Sequence, residues 1–364
     1  MNILFVLLIF TIIVLVHELG HFWAARRAGI QVEEFSIGMG PRILKFKRGE
    51  TIYSLKALPL GGSCRMLGED EDEEGNVNER SLNRKPIGWR VLVMAGGSVM
   101  NFALALIIAI IMSLFTTYAE PTVVNFTGEN SPMQAAGAQI GDRITSVNGR
   151  SVNVRGDLTL AMLRADGSPM SVTVDRDGAT HTLSVRPIQH EESENWLLGF
   201  GMLNAVGAFA SVPAGLVGTE IYREVGFFES VAVGAQNLSF IVRATFTAIG
   251  RLFTHGISEL MGPIGMVDVV GGEMTEVATN HGFAATFWTG MHFTMFLSVS
   301  LGVLNLLPIP ALDGGRLVFL GIEAIRRKPL NPEMEGKIHL AGFALMMGLF
   351  VLVAYNDIVR LFQS

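Results

Sequence analysis

Two histidines four residues apart, His17 and His21, with Glu18 beside the first, spell H-E-x-x-H inside an apolar run that covers residues 3–25. On a helix, positions i and i+4 share a face, so both imidazoles can offer a ring nitrogen to one metal ion. Glu18 then stands beside the water such an ion activates, where a hydrolytic general base is needed. Ionisable groups at membrane depth cost roughly 2.5 to 3.5 kcal/mol each on insertion scales, so three within a turn and a half call for a compensating charge. A divalent cation supplies that charge, and the ligand types point to zinc. The alternative is a pair of buried histidines satisfied by hydrogen bonds to neighbouring helices.

A catalytic zinc takes three protein ligands, so the third must come from another segment at the same depth. His292, Glu323, His339 and Asp313 are the candidates. His17 lies about 15 residues into its span, roughly 22 Å from the start at 1.5 Å per residue, hence near the side of the membrane where a later span ends. Asp313 is the best placed. Pro308 and Pro310 interrupt the helix just before it, and broken backbone at that depth is tolerated where it is buried or lines a wet cavity. Gly314 and Gly315 permit close backbone approach. A helix N-cap is the competing role for Asp313.

The elements that must position these groups follow from composition. Of 364 residues, 49% are hydrophobic and 16% charged, and the mean hydropathy is +0.42, values of an integral membrane protein. A net charge of -6 without a basic, aromatic-interleaved cluster excludes nucleic acid as a partner. Cys64 is the single cysteine, which excludes a disulfide framework or a thiolate cluster within one chain. Four transmembrane helices are expected, over 1–25, 91–115, 287–315 and 338–364. The first has no basic n-region, and Arg26 and Arg27 follow it, so it reads as a retained span and not a cleaved signal. Loops 26–90 and 316–337 carry the basic residues, among them Arg84, Lys85, Arg326 and Lys328, and are expected in the cytoplasm. Both termini and the stretch 116–286 then lie outside, with the metal site toward the cytoplasmic side.

Within that outer stretch, 116–190 reads as a small α+β domain. It has strands at 122–126, 143–147, 170–175 and 181–185, turns at Asn148-Gly149 and Asp177-Gly178, and short helices at 132–138 and 157–164. The remainder, 191–286, is expected to be linker with one amphipathic helix over 227–253 lying on the membrane surface. In the cytoplasmic loop, strands at 35–41 and 52–60 joined at Arg48-Gly49-Glu50 form a hairpin. The acidic run 69–74 reads as a solvated loop tip.

The runs 131–137 (SPMQAAG), 140–144 (IGDRI) and 147–149 (VNG) resemble a PDZ domain of the kind attached to bacterial proteases. Such a domain binds extended peptide at a sheet edge or acts as a size filter over the membrane site. His17-Glu18-Leu19-Gly20-His21, taken with Asn305-Leu306-Leu307-Pro308-Ile309-Pro310-Ala311-Leu312-Asp313-Gly314-Gly315, resembles the site-2 proteases, which are intramembrane zinc metalloproteases. Within them it is similar to the bacterial RseP/RasP-like branch, in the form with one PDZ domain.

The resemblance implies His17, His21 and Asp313 as zinc ligands and Glu18 as the base. It implies that Asn305 and Pro308 face substrate, and that the cytoplasmic hairpin, ending at Gly61 and Gly62, is membrane-associated and offers the substrate a strand edge. The implied substrates are single-span membrane proteins or peptides in the lipid bilayer, typically anti-sigma factors or remnant signal peptides. One departure is Gly97, where the family commonly has proline in Ala-Gly-Pro; it is expected to leave the metal site untouched. The segment 262–266 (GPIGM) also resembles a family signature. The fold expected is therefore a multi-pass α-helical membrane protein with an inserted extracytoplasmic α+β PDZ domain and a cytoplasmic membrane-associated β-hairpin. The competing function is a catalytically inactive membrane PDZ adaptor with a structural metal site.

Overall fold

The computed structural model describes residues 2–69, 78–115, 118–119, 121–123, 125–126, 131–189, 196–201, 222–223, 225–255 and 263–363. Most of the acidic run 69–74, and Gly262 of the GPIGM segment, lie outside them. The chain forms two compact units, one of residues 1–106 with 249–364 and the other of residues 107–248.

The first unit begins with helix α1 (Asn2–Arg27). An unbroken apolar sequence forms helix here because a span in lipid must satisfy its backbone internally. The helix stops at Gly29, whose φ of 68° only glycine adopts freely. Ile30 N–H donates to the Ala25 carbonyl and Gly29 N–H to that of Arg26, a Schellman closure of the last turn.

Strands β1 (Val32–Arg48) and β2 (Thr51–Met66) follow, turning at Gly49 and Glu50. Their register shows more than the simple hairpin expected. Residues 52–55 lie between 44–47 on one side and 34–37 on the other, while 34–37 pair on their far side with 62–65. Both chains bend back on themselves, at Gly38 (φ 84°), Gly40 (φ 87°) and Gly61 (φ 78°), so two long strands make four short rungs. The segment 62–66 forms one edge. Its inner face joins Phe22 and Ala25 of α1 in a core with Phe35, Cys64, Met66 and Val93. Met39, Ile43, Leu44, Phe46 and Leu58 remain exposed on the bent part.

Helix α2 (Ile87–Phe115) runs on into the second unit. Among the described residues, four helices are long and apolar enough to cross a membrane: Phe5–Arg27, Ile87–Phe115, Gly282–Leu306 and Glu333–Val359. The third belongs to α6 (Pro263–Leu306), which is broken at Gly282 (φ 77°, ψ -175°). Its first half, read from sequence as linker, is thus helical. Val270 and Met274 of that half pack on Val6 of α1 because they supply an apolar face to an apolar neighbour. The helix expected over 287–315 ends at Leu306. Asp313 heads a separate helix, α7 (Asp313–Arg326), and α8 (Pro332–Gln363) follows.

In the second unit a four-stranded antiparallel sheet takes the order 150–151, 143–147, 170–176, 179–185. Both turns use paired positive φ angles, Asn148 (50°) with Gly149 (73°) and Asp177 (51°) with Gly178 (82°), the twist that suits two-residue hairpins. Helices α3 (Pro132–Ala135) and α4 (Arg155–Met162) cover a core of Val123, Met133, Ile144, Val172, Val174 and Val185. Of the strand expected over 122–126, the described residues contribute a bridge at Thr122 and a two-residue strand, Asn125–Phe126, paired with Phe200–Gly201. Helix α5 (Phe227–His255) is not among the helices apolar enough to span. Its Phe240 ring fills the space above Gly156 of α4, and Arg243 pairs with Asp157 at 2.9 Å.

Candidate metal centre

The helical spacing in α1 turns His17 and His21 to one side, and both are buried. Their Nε2 atoms stand 3.1 Å apart. Asp313 Oδ2 lies 3.2 Å from the first and 3.3 Å from the second. A tetrahedral ion with bonds of roughly 2.0–2.2 Å separates its ligand atoms by about 3.3 Å or slightly more, which this triangle approaches on every side. Asp313 Oδ2 is buried and accepts no hydrogen bond among the described residues. Three lone-pair-bearing atoms facing one another, one of them an orphaned carboxylate oxygen, are an arrangement that a cation stabilises. Among the described residues no other group of three His, Cys, Asp or Glu side chains could hold an ion. Two of the other candidates have separate employment: Glu323 pairs bidentately with Arg90, and His339 Nδ1 accepts from Ala311 N–H at 2.9 Å.

Asp313 is delivered by a folded-back turn. Ile309 N–H donates to the Leu307 carbonyl and Leu312 N–H to that of Ile309, so the backbone between α6 and α7 doubles over. Gly314 and Gly315 lie against it so closely that a side chain at either would overlap backbone of 306–310. Ala311 sits at φ 76°, a left-handed conformation that alanine adopts only under constraint. The constraint comes from α8, where His339 takes the Ala311 N–H and Gly342 abuts Pro310.

Glu18 has His21, His17 and Asp313 as electrostatic neighbours. It also faces the edge of the sheet, since a Cβ on Gly62 would stand 3.2 Å from Glu18 Cγ and 3.0 Å from the Ser36 carbonyl oxygen. Gly61 instead packs on the Met39 side chain. Asn305, the last polar residue of α6, brings Nδ2 to 3.3 Å from His17 Nε2. Pro308 lies in the turn.

Helix α2 forms the floor of the site, a role the sequence did not announce. A methyl group on Gly20 would overlap the Gly96 carbonyl, and one on Gly96 would stand 2.8 Å from the Gly20 oxygen, so the two helices touch backbone to backbone. One helical face of α2 carries Val93, Gly97 and Asn101. The Val93 carbonyl accepts from His21 Nδ1 at 2.8 Å, which leaves the Nε2 lone pair for a metal. Gly97 lies under both rings, and a Cβ there would be 2.5 Å from His17 Cε1 and from His21 Nε2. The expectation that position 97 leaves the site untouched is therefore corrected: any side chain, proline included, requires α2 to stand back from the imidazoles. The missed signal is the four-residue spacing of 93, 97 and 101, which puts a small residue and a carboxamide on one face.

The model of peptidase family M50 matches residues 5–349. The chain belongs to this family, the site-2 proteases. This M50 protease is 32% identical over 438 residues to the regulator of sigma-W protease RasP of Bacillus subtilis, covering 98% of each chain. It is 31% identical over 438 residues to the zinc metalloprotease RasP of Shouchella clausii, again with 98% of each covered. A protein of Clostridium perfringens provisionally named a zinc metalloprotease is 37% identical over 360 residues, 99% of both. The M50 protease is thus a zinc metalloprotease of the site-2 type, embedded in a membrane by its apolar helices.

Proposed function

We propose that the protein cuts peptide bonds within or beside the transmembrane segment of single-span substrates, with His17, His21 and Asp313 holding zinc. The convergence of Nε2, Nε2 and Oδ2 within 3.1–3.3 Å is the observation that carries this reading. Zinc, when bound, supplies Lewis acidity that lowers the pKa of water and polarises a carbonyl. Glu18 takes the proton released from water and returns it to the departing amide nitrogen. Asn305 Nδ2–H, beside His17, would donate to and orient the substrate carbonyl.

A transmembrane helix hides its amides in internal hydrogen bonds, so it must unwind before cleavage. The segment 62–65 has no second strand on its outer side among the described residues, so an extended strand can pair there, and Gly62, with no side chain, lets that strand run beside Glu18. The broken backbone at Pro308 lines the route for water. We place the metal site toward the cytoplasm and the termini and second unit outside, from the basic residues of 26–90 and 316–337. The sheet of the second unit acts as a PDZ domain that binds peptide or limits substrate size. The Bacillus subtilis relative's name, regulator of sigma-W protease, supports membrane-bound anti-sigma factors as a substrate class, with remnant signal peptides beside them.

The test is Glu18→Gln in the full chain, reconstituted in liposomes with a single-span substrate. Zinc content is expected to stay near one per chain while cleavage falls by about 10²–10⁴-fold, the range for losing a general base. Undiminished cleavage overturns the role of Glu18. Stoichiometric zinc without product from the unaltered protein would instead fit the membrane PDZ adaptor.

A further inference from the structure

Asn101 is fully buried in α2 and does nothing in the chemistry just described. Its Nδ2 stands 3.3 Å from His17 Nδ1, and its Oδ1 accepts no hydrogen bond among the described residues. A neutral imidazole has one N–H and one lone pair. If Nδ2–H donated to Nδ1, the proton of His17 would sit on Nε2, pointing at His21 Nε2 3.1 Å away and at Asp313. That tautomer cannot bind a cation through Nε2. A half-turn of the carboxamide exchanges Oδ1 and Nδ2 in place, and Oδ1 then accepts from Nδ1–H across the same 3.3 Å.

The second histidine shows the same chemistry already, with the Val93 carbonyl on its Nδ1, about two turns along the same helical face from Asn101. We infer that Asn101 is a positioning residue that accepts the Nδ1 proton of His17 through Oδ1 and so fixes the tautomer whose Nε2 binds the metal. It is the side-chain counterpart of the Val93 carbonyl. Its backbone is pinned as well, since the Asn101 carbonyl accepts from Ser298 Oγ of α6 at 3.0 Å. This role rests on the His17–His21–Asp313 reading of the metal site.

Two substitutions separate an acceptor from a donor. Asn101→Leu keeps the branched shape and removes both functions; Asn101→Asp keeps an acceptor and removes the donor. Zinc affinity of the full chain in detergent would be measured by chelator competition, alongside thermal unfolding of the metal-free form. The expected result is a 10–100-fold loss of affinity in Asn101→Leu, the usual effect of losing such a supporting partner, and affinity within a few-fold of wild type in Asn101→Asp. Equal losses in both variants, or none in Asn101→Leu, would overturn the acceptor role. Metal-free unfolding of Asn101→Leu lowered in parallel with affinity, and not restored in Asn101→Asp, would assign Asn101 to packing alone and also overturn it. Failure of the site itself is a distinct outcome: His21→Ala would then leave zinc affinity unchanged, before Asn101 is altered at all.

Discussion

Asp142 in the sheet unit and Asp313 at the head of α7 are both carboxylates withdrawn from water, and their surroundings differ. Asp142 receives Arg176 on both oxygens at 2.7 Å and the Gln139 N–H at 2.9 Å. Asp313 presents Oδ2 to two imidazole nitrogens and accepts no hydrogen bond there. The same contrast holds for the glycines. Gly156 leaves room for the Phe240 ring, whereas Gly20 leaves room for another helix's backbone. A ring can move aside and a carbonyl in a paired helix cannot. Partnered buried charge builds a domain; unpartnered buried charge, held by backbone that cannot shift, marks chemistry.

The largest effect should come from breaking the unpartnered side. Asp313→Ala is expected to remove zinc and lower cleavage by about a thousandfold or more, as read by metal analysis and product yield, while Asp142→Asn leaves metal content unchanged. Loss of zinc from Asp142→Asn would erase the distinction. Next, Gly20→Ala should weaken zinc affinity at least tenfold, because α1 and α2 must separate; Gly156→Ala should cost about 1–3 kcal/mol of stability by overpacking and spare the metal. Chelator competition and thermal melts on both variants distinguish them.

Asp142→Asn itself should cost about 2 kcal/mol, the range for hydrogen bonds to a charged group, measured by chemical unfolding of the full chain. The smallest effect is in pH. Burial raises the Asp142 carboxyl, but the Arg176 hydrogen bonds and the Gln139 N–H outweigh it and hold the group below its ordinary value of 3.8. In the hairpin, hydrogen bonding from Arg42 leads in bringing Glu34 from 4.5 down to about 2, against burial and with help from Ser54. Both carboxylates are depressed on folding, so each stabilises fully above its unfolded value and loses that contribution as pH falls toward its folded one. Glu34→Gln should therefore narrow its stability gap from wild type between pH 4.5 and 2; a gap that widens there would contradict the sign.

Much of this candidate site is legible in the sequence. H-E-x-x-H is a contiguous pattern whose ligand geometry follows from helix periodicity, and Asp313 followed from depth and from the prolines that precede it. The Asn-Gly and Asp-Gly turns likewise place the sheet of the second unit, since their conformations admit few other residues. What escaped was structure made by contact between distant segments. The floor supplied by Val93, Gly97 and Asn101 depends on α2 lying against α1, and nothing in a glycine or a valine states which helix it will meet. The bent sheet of β1 and β2 escaped because four rungs and two strands share one alternating pattern. The first half of α6 reads as linker because Asp268, Glu273 and Glu276 fall among its apolar residues.

The left-handed alanine at 311 carries a consequence for how the molecule is made. Its conformation is fastened by His339 and hemmed in by Gly342, both in a helix translated after Asp313. While the ribosome has yet to release that segment, the growing chain owns two imidazoles and a carboxylate on an unlatched arm. The arm that carries Asp313 is therefore fastened only once α8 has joined it.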